Sequence, residues 1–215
     1  LAHNQPGPYA LAAILQRVTG QSLTGYLRPR LLDPLGIGEV AWLADSSGRE
    51  LGFSGLHGTT DVLARLGQLY LGECVWEGER LLSRDWVAEA TRTHIPTAAA
   101  RGEQDRSDWD RGYGFKFWQS RHGYRGDGDY GQFCLVLPEY DAVIATTAAT
   151  EQMQQLLSLV WEHLLPAFKD GPLPGPGDAD TALGERLARL ALPPARAAPG
   201  RPGGARAWPG PGFTP

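Results

Sequence analysis

A chain of 215 residues is long enough for one domain with an appendage and too short for two large ones. Charged residues make up 20% and hydrophobic ones 42%, and the net charge is −4, which argues against a general nucleic-acid or anionic-membrane binder. No apolar run reaches the roughly 18 residues of a transmembrane helix, so no membrane span is expected.

The chain reads as structured from its first residues, with no basic-then-apolar leader, and a preceding portion is expected. Tyr9, Ala12, Ala13, Leu15 and Val18 outline a helical apolar face that Gly20 terminates. Ser22 offers an N-cap for a second segment running toward Leu32, interrupted by Pro29 and stopped by Asp33-Pro34. Thr59 or Thr60 caps a third helix, in which Val62, Leu63, Leu66, Leu69 and Tyr70 fall at helical spacing. Residues 83–87 predict a fourth, short helix. Residues 96–109 are polar and read as a mobile excursion, with Asp105, Asp108 and Asp110 on a solvated face.

The period then changes. Tyr113, Phe115 and Phe117 alternate with Gly114 and Lys116, which predicts a strand over 112–118. Phe133 to Leu137 and Ala142 to Thr147 are apolar on both faces, and Pro138-Glu139-Tyr140-Asp141 between them suits a hairpin. Three strands on short links pair antiparallel, and apolar residues on both faces call for cover above and below, an α+β arrangement. Thr150 opens a final helix with Met153, Leu156, Leu157, Val160, Trp161 and Leu164 on one stripe, ended by Pro166. This domain spans residues 1–168. Residues 169–192 form a linker and a short amphipathic helix with Leu183, Leu187 and Leu190. In the tail, 193–215, 12 of 23 residues are Pro or Gly, so no fixed fold is expected there.

Catalytic signals are sparse. Cys74 and Cys134 cannot build a disulfide scaffold, and the five histidines lack metal-site spacing, so no metal or cofactor is expected. Gly52-Phe53-Ser54-Gly55 has its second glycine one place too early for a nucleophile elbow. A Ser-x-x-Lys pair would let an amine accept the hydroxyl proton across one helical turn. Tyr113 and Pro166 stand three residues before Lys116 and Lys169, the two lysines, so that pair is absent. Asp127-Gly128-Asp129 starts like a calcium loop but lacks its third acidic position and closing Glu. The glycines from 123 to 131 fit close backbone approach at the end of a strand better than a phosphate cradle.

Several phrases, in order, resemble the class C β-lactamase-like serine hydrolases, a family of β-lactamases, DD-peptidases and esterases. They are Tyr9-Ala10-Leu11 through Val18-Thr19-Gly20-Gln21-Ser22-Leu23, Tyr26 to Ile37, Gly52 to Leu56, Asp61 to Tyr70, and Tyr124-Arg125-Gly126-Asp127-Gly128 to Phe133. The resemblance covers about residues 1–168 and implies a partial β-lactamase/transpeptidase-like fold whose N-terminal helix and strands are missing here. It also implies a serine that attacks an amide, lactam or ester carbonyl, forms an acyl-enzyme and is released by water, with two backbone N–H groups holding the oxyanion.

By resemblance the family's third motif falls on Tyr124-Arg125-Gly126. Asp127 would then give the strand's oxyanion N–H, and Gly126 would let substrate approach the backbone. Two roles fit Arg125: a two-pronged grip on a substrate carboxylate, or an ion pair with Asp127 or Asp129 that braces the turn. The second motif falls on His3-Asn4-Gln5 and departs from the family at its first and third positions. His3 could relay a proton or be the relic of a degraded site, and Asn4 reads as a structural hydrogen-bonder. With the first strands absent, the last strand would carry an unpaired apolar edge, and with the Ser-x-x-Lys segment absent too, the chain alone is expected to be poorly stable and inactive. The expected partners are a small-molecule or peptide-like substrate and the missing N-terminal part of the same fold. A non-catalytic binding module of that fold is the alternative, and an unrelated α+β interaction domain a more distant one. The compartment is not legible.

Overall fold

The computed structural model describes residues 4–97, 107–169, 171 and 175–191. The chain divides into two units, Leu1–Phe168 and Lys169–Pro215. In the first, helix α1 (Pro6–Thr19) has proline in its first turn, where a missing N–H breaks no bond, and ends at Gly20 in the left-handed conformation, φ 70°. Ser22 Oγ accepts the Gly25 N–H to open α2 (Leu23–Leu27), and Pro29 lies in the π-helical turn that follows, Arg28–Leu32. Strands β1 (Ala41–Trp42) and β2 (Leu56–His57) make a short antiparallel ribbon.

Helix α3 (Thr60–Leu71) begins where the sequence predicts, although neither threonine caps it by a side-chain bond. The Thr60 hydroxyl instead meets that of Thr147 at 2.8 Å. Strands β3 (Val75–Trp76) and β4 (Glu79–Arg80) form a hairpin whose turn residues, Glu77 and Gly78, both have positive φ. Ser83 caps α4 (Arg84–Thr91) by accepting the Trp86 N–H. Leu32, Leu35, Ile37, Val62, Leu69, Cys74 and Val87 form the core that ties these helices together.

Strands β5 (Trp118–Gln119), β6 (Tyr124–Gly128), β7 (Gln132–Leu137) and β8 (Ala142–Thr146) form an antiparallel sheet in the order β5-β6-β7-β8. In its register Arg125 lies opposite Leu135, Gly126 opposite Cys134, and Cys134 opposite Ala145. Both faces are covered, as the apolar runs require. One face of β7 sends Phe133, Leu135 and Leu137 against Leu157, Val160 and Trp161 of the last helix. That helix is α5 (Met153–Leu159), continued by a π-helical turn, Val160–Leu164, and a short 3-10 turn, Leu165–Ala167. The other face meets α3 at Gly67, where an added Cβ would lie 2.5 Å from Val143 Cγ1 and 2.8 Å from Cys134 Sγ.

Two expectations fail locally. Residues 112–118 are not one strand: Gly112 and Lys116 have φ 120° and 68°, Gly114 N–H bonds Phe117 O, and pairing starts only at Trp118. The alternating aromatics serve separate clusters, Tyr113 with Trp118, Phe115 with His94 and Trp86, and Phe117 with Tyr70 and Tyr124, and no straight strand could reach all three. Asp108 is not solvated but 1% exposed, and Asp110 accepts from Ser107. Asp105 lies outside the described residues. In the second unit, α6 (Asp178–Ala188) is exposed along its length, and Asp180 accepts the Gly177 N–H at its start. The tail expectation, from residue 193 on, lies outside the described residues.

Candidate functional site

The third-motif residues lie on β6, where strand alternation separates their side chains. Tyr124, Gly126 and Gly128 face α3, while Arg125 and Asp127 share the opposite face. Strand β5 is two residues long and pairs with Tyr124 and Arg125. Past them, Gly126 to Gly128 have a strand partner only in β7 among the described residues. This leaves a short open edge of small residues. Nothing inside the described fold requires glycine at 126, since an added Cβ would meet only Cys134 Cβ, at an ordinary 3.6 Å. The contrast is Gly123, where φ is 58° and a Cβ would fall 2.0 Å from Val136 O.

Two cavities flank this edge, and Asp127 lines both. One, about 320 Å³, lies between α3 and the sheet among Leu63, Leu66, Tyr70, Phe117, Gly126 and Cys134. The other, about 190 Å³, is lined by Gly52, Phe53, Tyr113, Lys116, Trp118 and Asp127. In the first, burial pushes the Cys134 thiol up to about 12, so it stays protonated, and its sulfur lies 3.1 Å from Leu63 O. Burial, with Tyr70 and both cysteines nearby, also raises Tyr124, whose ring packs edge-on against Phe117.

Arg125 is fully buried. Its Nε donates to Asp127 Oδ2 at 2.8 Å, its Nη1 donates to Ser120 Oγ, Gln119 O and Asp108 O, and its guanidinium sits 4.6 Å from the Trp109 ring centroid. The Arg125–Asp127 ion pair, one of the two arrangements left open by the sequence, is present in this geometry. The Asp108 carboxylate stands close by. Burial alone would raise it, but hydrogen bonds from Gln154, the Arg121 N–H and the Trp161 indole, with the Arg125 charge, hold it below the usual carboxylate range. The network joins the 107–111 loop, β5, β6 and the last helix, and fixes the backbone of the open edge.

Of the second-motif residues, His3 lies outside the described residues. Asn4 is exposed, and its Oδ1 accepts the Gly7 N–H at 2.8 Å in the first turn of α1, a structural bond. Its carbonyl accepts from Lys116 Nζ at 2.9 Å, which links the second-motif position to the smaller cavity. Sequence reasoning missed Lys116, Tyr113, Trp118 and Phe53 as lining residues, because they come from loops and the start of β5, whose convergence has no local signature. One usable signal was the scarcity of lysine, with just two in the chain. Among the described residues no group of three or more His, Cys, Asp or Glu is placed to hold a metal ion, and no helix is long and apolar enough to cross a membrane.

The Beta-lactamase family model matches residues 7–163, most of the chain. The chain belongs to the Beta-lactamase family. No curated protein matches it. Among solved structures it is similar to a "Putative 6-aminohexanoate-dimer hydrolase" from Bacillus anthracis, at 20% identity and TM-score 0.67, over 80% of this chain and 45% of that one. It is also similar to a beta-lactamase from Mycobacterium bovis, at 20% identity and TM-score 0.53, over 74% of this chain and 63% of that one. Both likenesses carry the fold, a mixed helix and antiparallel-sheet architecture of which this chain is a part. It spans less than two thirds of either structure's length. Within the family, the open edge of β6 is the segment that the third-motif resemblance points to.

Proposed function

We propose that these residues are the C-terminal portion of a β-lactamase-related serine hydrolase that works through an acyl-serine on an amide, lactam or ester bond. The observation that carries this reading is the open edge at Gly126-Asp127-Gly128, where glycine at 126 meets no internal steric need, flanked by two cavities, in a chain of this family. An extended substrate laid along such an edge pairs with backbone groups, and an N–H there can hold a developing oxyanion. The chain's share of the chemistry is therefore binding and charge stabilisation: β6 forms the wall, the Arg125–Asp127 brace keeps it rigid, and the cavities receive the groups on either side of the scissile bond. The attacking hydroxyl and its lysine belong to a Ser-x-x-Lys helix outside this sequence, so the 215 residues alone are inactive.

A second reading, a non-catalytic binding module of the same fold, is favoured by one observation: among the described residues no serine lines either cavity. The protein extended through the reading frame upstream of Leu1 separates the two. The hydrolase reading expects an in-frame Ser-x-x-Lys and covalent uptake of a fluorophosphonate or a penicillin probe at that serine, lost on its change to alanine. A stop codon with a local start just before Leu1 would overturn it in favour of the module.

A further inference from the structure

We propose that the smaller cavity, walled by Phe53 and Trp118, is a subsite for the carboxylate end of a substrate, with the Lys116 ammonium as the group that recognises it. The word substrate rests on the hydrolase reading above, whereas the binding of a carboxylate does not.

The placement of charge points there. Asp127 lines this cavity, but its side chain is 8% exposed and its charge is met by Arg125, so the pair presents no net charge. Arg125 itself is fully buried and committed to the fold, and cannot reach a ligand without dismantling it. The Tyr113 phenol, raised by burial and by the nearby Asp127 charge, stays neutral. Lys116 therefore supplies the net positive charge of the lining. An ammonium has three protons to donate, and among the described residues its hydrogen bond goes to one acceptor, the Asn4 carbonyl. That bond fixes the amine at the cavity and leaves donors for a second acceptor.

The backbone supports the same reading. Lys116 is held at φ 68°, a conformation unfavourable for a residue with a Cβ, on the tight turn closed by the Gly114–Phe117 hydrogen bond. Partial burial lowers its pKa from the usual lysine value, so a bound anion would offset the cost of keeping it charged there. The aromatic walls suit a short apolar neck behind the carboxylate. At 190 Å³ the cavity has room for about six water-sized groups, a carboxylate with a few carbons attached.

Since Lys116 and Lys169 are the chain's two lysines, 13C,15N-lysine labelling gives a two-signal NMR spectrum, assigned with Lys169→Arg. Butyrate, with its neutral isostere butyramide as control, is titrated into the 215-residue chain. The expected result is a saturable shift of the Lys116 Cε and Nζ signals with butyrate, half-complete on the order of 1–10 mM, with Lys169 unmoved and butyramide without effect. Equal, non-saturating movement of both lysines, or none at Lys116, would overturn the proposal. As a second arm, Lys116→Arg should keep butyrate-induced backbone shifts at Phe53 and Trp118, and Lys116→Gln should lose them. Failure of the extended protein to take up fluorophosphonate while butyrate still seats at Lys116 would count against the hydrolase reading alone.

Discussion

Arg125 and Asp108 hold opposite charges in the same dry region, where hydrogen bonds replace the water lost by the Asp108 carboxylate and by Nε and Nη1 of Arg125, while Arg125 Nη2 is buried without a hydrogen-bond partner among the described residues. Asp108 has a folded pKa below its unfolded value of about 3.9, so its contribution to stability is complete above that pH and is lost as pH falls through the folded value. Asp108→Asn should therefore be less stable than the wild type at neutral pH, with the gap narrowing below about pH 4; urea denaturation across pH 2.5–7 measures it, and a gap constant with pH would refute the assignment. The glycines of the β6 region offer a second comparison. Gly126→Ala should shift stability by no more than about 0.5–1 kcal/mol, because its methyl meets only ordinary contacts, while Gly123→Ala should cost at least about 2 kcal/mol. Chemical denaturation of the two variants reads the difference. The sequence pointed to β6 but could not choose between the roles of Arg125. An Arg–x–Asp spacing in a strand puts both side chains on one face, and which face is dry depends on residues far along the chain, Trp109 and Trp161 among them.

At the scale of elements, the starts and stops of helices were legible because they are local chemistry: Gly20 adopting the left-handed stop, and Ser22 and Ser83 supplying side-chain caps. The sheet was legible where both faces are apolar, at β7 and β8. The stretch 112–118 was misread because period-two aromatics look the same whether they line a strand or splay into three clusters. The α3–sheet contact was not visible at all, since Gly67 looks like a weak point in a helix until Val143 is placed against it. Gly67→Ala should gain about 1 kcal/mol of helix propensity yet lose about 1–3 kcal/mol to overpacking, for a net destabilisation that Val143→Ala partly relieves. A double-mutant cycle in urea checks the coupling, and additive effects would show that the helix yields instead.

At the scale of the molecule, two surfaces are unfinished among the described residues. Strand β8 ends the sheet with all five residues half-buried and no strand on its outer edge. Helix α1 exposes Leu11, Ile14 and Val18 along one face, at 68%, 58% and 78%. Both fit a portion of a larger fold, as does the coverage of 45% and 63% of the two similar structures. The family was legible in the order of several weak phrases. The smaller cavity was not, because its walls meet only in three dimensions. The central claim is that this chain carries a binding wall and not a nucleophile. Intact-mass spectrometry of the 215-residue chain after incubation with a fluorophosphonate and with a penicillin probe tests it most directly: the predicted result is an unmodified mass with both reagents, and a stoichiometric adduct on any of its serines would contradict the account.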